Sequence, residues 1–504
     1  MQKIFSTQQI RLCDEFTIAN EPIASIDLME RAALAVFDYL KHAIQTDVFE
    51  IYCGQGNNGG DGLAIARLLA SVNKKVKVVI IKEKDKGSID YELNFKKLKK
   101  LSKIECIEIS NGVDFKDIHS NAIIIDALLG TGVKQAAKGL IKQAIDFINL
   151  QKNDKIAIDV PSGLLCDEPI NASNSVVKAS LTLSFQFMKL AYLFPENYKY
   201  TGKIKLLDIG LSEQFISSEK TKHYLIDQEA VHLLMPVRMQ FAHKGNFGHA
   251  LLLAGSNGMN GAALLAAKAC LKSGAGLLTV HSGYLLQNAL NSFLPSAMFN
   301  ADVNPNRITE IPELNAYTSI GVGCGIGNEP DTKAALKLLI QQCKVPLVLD
   351  AEALNILAEN KTWLSFLPTV SILTPHPKEF ERLCGKWSNS FERLQMQKDF
   401  SLKYNCYVVF KGAYTCISTP LGNCYFNPTG NAGMAKGGSG DVLTGILTSL
   451  LAQRMDPAEA CILGVYIHGL AGDLALLNEG ERSMLPEDLI ANLGKAFMKV
   501  QSNL

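Results

Sequence analysis

Phe49-Glu50-Ile51-Tyr52-Cys53 runs into Gly54-Gln55-Gly56-Asn57-Asn58-Gly59-Gly60-Asp61-Gly62 and then into the helical pattern Leu63–Ala70. An apolar run, a glycine-rich turn and an amphipathic stretch make one strand–loop–helix unit of a parallel α/β sheet. Glycines let the turn take positive φ and approach a ligand, and the helix that follows offers free N–H groups and a favourable dipole to an anion. Gly54-x-Gly56-x-x-Gly59 also satisfies the dinucleotide fingerprint, with Glu83 after the next apolar run. That literal reading predicts a Rossmann dehydrogenase. The Asn-Asn-Gly-Gly-Asp core speaks for another ligand, because it places polar side chains where a dehydrogenase loop needs small ones.

Outward from this unit the alternation continues. Val76–Ile81, Ile104–Ile109, Ala122–Ile125 and Lys155–Val160 read as further strands, and Val177–Phe185 and Lys203–Leu207 extend the sheet. Ser6 and Gln9 have the spacing of a capping box at the first helix. The rhythm breaks between about 210 and 245, so the expected organisation is a first domain over 1–212, a junction over 213–240 and a second domain over 241–504. The second series comprises Ala250–Ala254, Leu277–Val280, Ser319–Val322, Leu347–Leu349, Ser371–Leu373 and Val408–Phe410, closed by helical patterns at Asp441–Leu451 and Pro457–Leu477. Both halves are α/β, as a chain of 504 residues is too long for one ordinary core.

Lysine and arginine total 50 against 49 acidic residues, which leaves no field to favour nucleic acid or an anionic membrane. The charge-free stretch Leu277–Asn300 carries too many polar residues for a membrane span, and the N-terminus lacks the apolar run of a secretory signal. Twelve cysteines without a C-x-x-C pair point to reduced thiols in a cytoplasmic protein.

Two more strand ends carry chemistry: Asp126-Ala127-Leu128-Leu129-Gly130-Thr131-Gly132 and Asp159-Val160-Pro161-Ser162-Gly163. Ligands of open parallel sheets sit at the carboxyl ends of strands, so Asn58, Asp126, Asp159 and Ser162 are expected to converge. Such an oxygen-rich set suits a hard cation or a hydroxylated ligand, although each aspartate alone could be a helix cap. In the second half, Asn427-Pro428-Thr429-Gly430-Asn431-Ala432-Gly433-Met434-Ala435-Lys436-Gly437-Gly438-Ser439-Gly440-Asp441 leads into an apolar helix. Successive glycine amides form an anion nest, and Asp441 would point a base into it, the two requirements of phosphoryl transfer to a hydroxyl.

The three motifs of the first half resemble the NAD(P)H-hydrate epimerase domain. The second half resembles the ribokinase-like superfamily and, within it, the ADP-dependent NAD(P)H-hydrate dehydratases, through Lys244–Gly248, Ala254–Ala263, Thr374–Phe380 and Lys411–Thr415 as well as the glycine-rich loop. The order of the halves is that of the bifunctional members. The resemblance implies a Rossmann-like three-layer parallel-sheet domain followed by a ribokinase-like α/β domain. It also implies that R and S hydrates of NADH and NADPH are epimerised and that the S form is dehydrated with ADP, giving AMP and phosphate. Asn57, Asn58, Gly59, Gly60, Asp61, Gly130, Thr131, Gly132, Val133, Lys134, Gln135, Ala136 and Asp159 would contact the hydrate in the first half. There Asn58, Asp126 and Ser162 would bind potassium, with Asp159 as the acid–base candidate. In the second half Ala262, Ala263, Gly323, His376 and Asp441 would face the hydrate, with Asp441 as catalytic base. Lys411, Gly412, Ala413, Tyr414, Thr415 and Gly440 would hold ADP, accompanied by magnesium. His376 could equally be part of a stiff Thr-Pro-His-Pro turn. The family often has a proline where this chain has Ala432. Small-molecule substrates and a homo-oligomer are the expected partners.

Three other readings compete. A vitamin-precursor kinase of the same superfamily has no need of the first domain, and a dehydrogenase leaves the second half unexplained. The first domain as a plain binding module would lack epimerase activity.

Overall fold

The computed structural model describes residues 1–502 except 112–114, 117 and 172. Two compact units divide it: Lys3–Thr221, and Lys222–Leu504 together with Met1–Gln2. The division falls between Thr221 and Lys222, in the 213–240 segment. That segment is more ordered than its mixed composition suggests: it carries helices Glu213–Ser218 and Gln228–Leu233, and its strand His223–Leu225 joins the second sheet.

In the first unit seven parallel strands run in the order Glu105–Ile109, Lys75–Ile81, Val48–Cys53, Ile123–Ala127, Lys155–Ile158, Leu181–Phe185, Lys203–Leu207. Alternate residues feed two cores: Ile51, Cys53, Val78 and Ile80 face one layer of helices, and Tyr52, Val79, Ile81 and Ile124 the other. Both faces are covered, which is why the strands read as continuous apolar runs. The chain leaves Val48–Cys53 in one direction and returns to its other side at Ile123–Ala127. The strand order reverses there, and a crevice opens beyond the strand ends. The Ser6–Gln9 capping box forms as expected.

The second unit has an eleven-stranded sheet in the order Gln2–Lys3, His223–Leu225, Cys424–Phe426, Cys416–Ser418, Tyr407–Phe410, Ile372–Leu373, Leu347–Leu349, Ser319–Val322, His249–Leu253, Leu277–Gly283, Met298–Asp302. Its reversal lies between His249–Leu253 and Ser319–Val322. Pairing is parallel from Met298–Asp302 through to Tyr407–Phe410, and then an antiparallel hairpin of Cys416–Ser418 and Cys424–Phe426 is added. Those two strands were not among the runs expected from the sequence. Helices Ser439–Ala452 and Pro457–Ser483 are packed inside this unit against Val348, Ile372 and Val409.

Candidate functional sites

The glycine turn of the first unit is set by steric necessity. A Cβ on Gly54 would lie 2.1 Å from the Leu128 carbonyl oxygen, and one on Gly59 only 1.8 Å from that of Gly54. The loop therefore closes on itself and on the neighbouring strand end, and helix Asn57–Ser71 starts at once. Asn57 stays exposed while Asn58, Gly59 and Gly60 turn inward.

Asn58 Nδ2 donates to the Leu129 carbonyl at 2.9 Å, and its Oδ1 is buried without a hydrogen-bond partner. Asp126 is wholly buried and accepts from Ser162 N at 2.8 Å, Ser162 Oγ at 2.6 Å and Leu128 N at 3.2 Å. Ser162 Oγ in turn accepts from Leu129 N at 2.8 Å. The three expected cation ligands are thus gathered around the Leu129 peptide. Burial lifts the Asp126 carboxyl to about 6, against the pull of its hydrogen bonds from Ser162 and Leu128. An orphaned amide oxygen beside a carboxylate, a hydroxyl and a peptide carbonyl is a donor set that a hard cation would satisfy.

Asp159 has φ +61°, a conformation that costs an ordinary side chain about 1–3 kcal/mol and is concentrated at functional sites. Its carboxylate accepts from Lys189 Nζ at 2.7 Å and Phe185 N at 3.3 Å, and its carbonyl from the Tyr192 hydroxyl. Lys189 is 1% exposed and spends its other donors on Ser184 Oγ and the Phe185 carbonyl. Two further carboxyls share this field. Burial pushes Asp61 well above the carboxylate range, helped by Asp159 and Asp14, and it lifts Asp14 to about 7, helped by Asp159 and opposed by Lys189. Sequence reasoning missed Lys189, Tyr192 and Asp14, which lie on segments without a motif.

Gly130 packs on Asn58, where an added Cβ would lie 3.2 Å from the Asn58 Cβ. The rest of that loop, Thr131, Gly132, Val133, Lys134, Gln135 and Ala136, runs half-buried to exposed over the surface. Glu83 Oε1 accepts from Ile141 N at 3.1 Å in the first turn of helix Gly139–Leu150, so this carboxylate serves a helix start.

The second site is organised by a residue absent from the sequence expectations. Asp350 ends strand Leu347–Leu349, fully buried, and accepts from Lys411 Nζ at 2.6 Å and Thr444 Oγ1 at 2.9 Å. Burial works against its charge, yet the Lys411 ammonium holds Asp350 below the usual range. Lys411 also lies 3.8 Å from Glu379, which burial raises to about 7 against the pull of Lys411. Lys411, expected as a nucleotide ligand, is therefore already paired. Gly412 and Ala413 stay exposed, Tyr414 has φ +51°, and Thr415 Oγ1 bonds the Gly412 backbone.

Asp441 lies in the first turn of helix Ser439–Ala452 behind Gly438 at φ +99°. Burial lifts its carboxyl to about 6, opposed by a hydrogen bond from the Cys324 thiol. A Cβ on Gly440 would meet Asp350 Oδ2 and Lys411 Nζ, each at 3.3 Å, so that residue has to be small. Gly323 stands against the Asp350 carbonyl, and Ala262 against Gly325. Ala263 is fully buried against Gly255, so of that pair Ala262 is the one that can face a ligand.

His376 is the cap of helix Pro377–Cys384. Its Nδ1 accepts from Lys378 N at 3.1 Å, while its backbone N–H donates to Glu379 Oε2 at 2.7 Å. Burial and Lys411 hold the imidazole below its ordinary value, which keeps it neutral at pH 7. The stiff turn is real, and it leaves Nε2 3.4 Å from Glu379 Oε1 beside the Lys411–Asp350 pair. The glycine loop lacks the family's proline at Ala432. Asp473 instead fastens it, accepting from Gly430 N and Asn431 Nδ2, each at 2.9 Å, while Asn431 Oδ1 accepts from Gly433 N.

Among the described residues no three His, Cys, Asp or Glu side chains form a metal cluster. Magnesium entering with nucleotide phosphates needs no such cage.

Both halves of the chain resemble known proteins. Residues 25–191 match the family of YjeF-related protein N-termini, and residues 250–495 match NAD(P)H-hydrate dehydratase. The bifunctional NAD(P)H-hydrate repair enzyme of Coxiella burnetii is 34% identical over 502 residues, covering 98% of this chain and 99% of its own. That of Moorella thermoacetica is 33% identical over 501 residues, covering 95% and 93%. The solved ADP/ATP-dependent NAD(P)H-hydrate dehydratase of Bacillus subtilis, co-crystallised with ATP and magnesium, is 30% identical with a TM-score of 0.48, over 55% of this chain and 98% of that one.

Proposed function

The chain belongs to the bifunctional NAD(P)H-hydrate repair enzymes, and from that premise we propose that Asp441 and Asp159 are the groups that move protons at its two sites. The observation that carries the proposal is the Asp441 carboxyl at about 6, placed where the glycine-rich loop meets the helix start. A carboxylate poised near neutral pH is matched to accept the proton of a substrate hydroxyl.

At the second site hydroxide is a poor leaving group from C6 of the hydrated nicotinamide. Asp441 takes the C6 hydroxyl proton as the oxygen accepts the terminal phosphoryl of ADP, releasing AMP. Loss of the C5 proton and departure of phosphate then restore the ring double bond. Backbone amides of the 430–440 loop stabilise the phosphoryl group in transit. Magnesium, when bound with the nucleotide, screens the phosphate charge.

At the first site the C6–O bond must break and re-form from the opposite face. Asp159, a carboxylate held by Lys189, takes a proton from the incoming water and hands one to the departing hydroxyl. Asn58, Asp126, Ser162 and the Leu129 carbonyl would hold potassium, whose charge orients the hydrated ligand. Twelve free cysteines fit a reducing, cytoplasmic setting.

Mixed hydrate isomers incubated with ADP, with recovery of reduced-nicotinamide absorbance followed, test both halves. Asp441→Asn abolishes recovery and leaves isomer interconversion intact. Asp159→Asn leaves rapid recovery of the S fraction alone. Loss of both activities in either variant contradicts the assignment.

A further inference from the structure

Cys324 lies in Gly321-Val322-Gly323-Cys324-Gly325-Ile326-Gly327, where the chain leaves strand Ser319–Val322. Gly323 at φ +129° and Gly325 at φ +66° flank it. A Cβ on Gly323 would sit 1.9 Å from the Asp350 carbonyl oxygen, and one on Gly325 2.9 Å from that of Met259. Gly255 N donates to the Cys324 carbonyl at 2.8 Å. The backbone at 324 is thus pinned from three sides, and the side chain is 1% exposed. Its thiol lies within hydrogen-bonding reach of the Asp441 carboxyl and of the Thr444 hydroxyl, whose own hydrogen goes to Asp350 Oδ2 at 2.9 Å.

We propose that Cys324 is a positioning residue of the dehydratase site, its thiol donating to the Asp441 carboxylate and aiming that base at the substrate hydroxyl. The inference rests on the reading of Asp441 as the base. Asp441 faces the negative Asp350 and Glu352 and the positive Lys411, so burial and both carboxylates oppose its ionisation while the thiol and Lys411 favour it. Burial and the Asp441 and Asp350 carboxylates push the ionisation of Cys324 itself far up, so it stays a neutral S–H donor rather than a nucleophile.

The test is the pH profile of kcat/KM for the S hydrate with ADP, using the full chain. Removing the donor in Cys324→Ala destabilises the charged base and moves the acid limb upward by roughly half a unit to one unit. At pH 6 the rate falls several-fold, and at high pH it returns to the wild-type plateau. Cys324→Ser supplies a stronger donor and places the limb at or below the wild-type position. A Cys324→Ala profile superimposed on wild type overturns the proposal, as does a Cys324→Ser limb raised above wild type. Melting temperature and epimerase rate report folding, and if the alanine variant unfolds the serine limb decides alone. If Asp441→Asn dehydrates at the wild-type rate, the reading of the base has failed. If Asp441→Asn is dead and the Cys324 profiles do not move, only the positioning role has failed.

Discussion

Lys189 Nζ lies 2.7 Å from Asp159 Oδ1 with its side chain 1% exposed, so the strained aspartate of the first site is held by a buried cation. Breaking a buried pair by removing one partner leaves an uncompensated charge and costs about 3–5 kcal/mol. Lys189→Met is therefore expected to lower the melting temperature of the first unit. It should also cut isomer interconversion at least tenfold at a temperature where the chain is folded. A normal epimerase rate in a folded Lys189→Met protein contradicts the role given to the pair.

As the proposed base of the dehydratase, Asp441 would have to be ionised, and burial lifts that carboxyl to about 6. Activity on the S hydrate should climb as pH rises from about 5 to 7 and then level off. A rate independent of pH across that range rules out Asp441 as the base.

The buried Asn58 Oδ1 without a partner predicts a cation requirement. Replacing potassium by tetramethylammonium, which is too bulky for the Asn58–Asp126–Ser162 set, should slow epimerisation several-fold. Asn58→Ala should make the residual rate insensitive to potassium. Equal rates in both salts for the wild-type chain remove the site.

Asp14 titrates at about 7 when folded, far above an unfolded aspartate. A raised carboxyl means the folded chain holds a proton that the unfolded chain has lost, so this group costs stability as pH rises from about 4 to 7. Asp14→Asn is expected to raise the melting temperature at pH 8 and to change it little near pH 4. The opposite order contradicts a carboxyl raised by burial and by Asp159.

Asp350 neutralises Lys411 inside the second unit. Asp350→Ala leaves a buried ammonium, with an expected cost of about 3–5 kcal/mol and loss of dehydration. Thermal unfolding followed together with both activities checks that the first unit is spared.

Strand ends were the legible part of both sites. Asp126, Ser162 and Asp159 follow apolar runs, and a parallel sheet places such positions together whatever the intervening helices do. The same signal was available for Asp350 after Leu347–Leu349, where no glycine or serine drew attention to it. Lys189 and Asp14 gave no signal, since a lysine after a strand and an aspartate on an amphipathic helix are ordinary surface residues until burial is known. Glu83 shows the converse: its spacing suited a ribose, and tertiary structure put it at a helix start.

The sequence by itself determined the two α/β units, their order and the loops that carry the chemistry, because apolar periodicity and glycine turns are local in the chain. Only the tertiary structure decided which charges face one another. Burial and pairing arise between residues far apart in sequence, as with Asp350 and Lys411, 61 positions apart. Those two quantities set whether a carboxylate holds a proton, binds a cation or anchors a lysine.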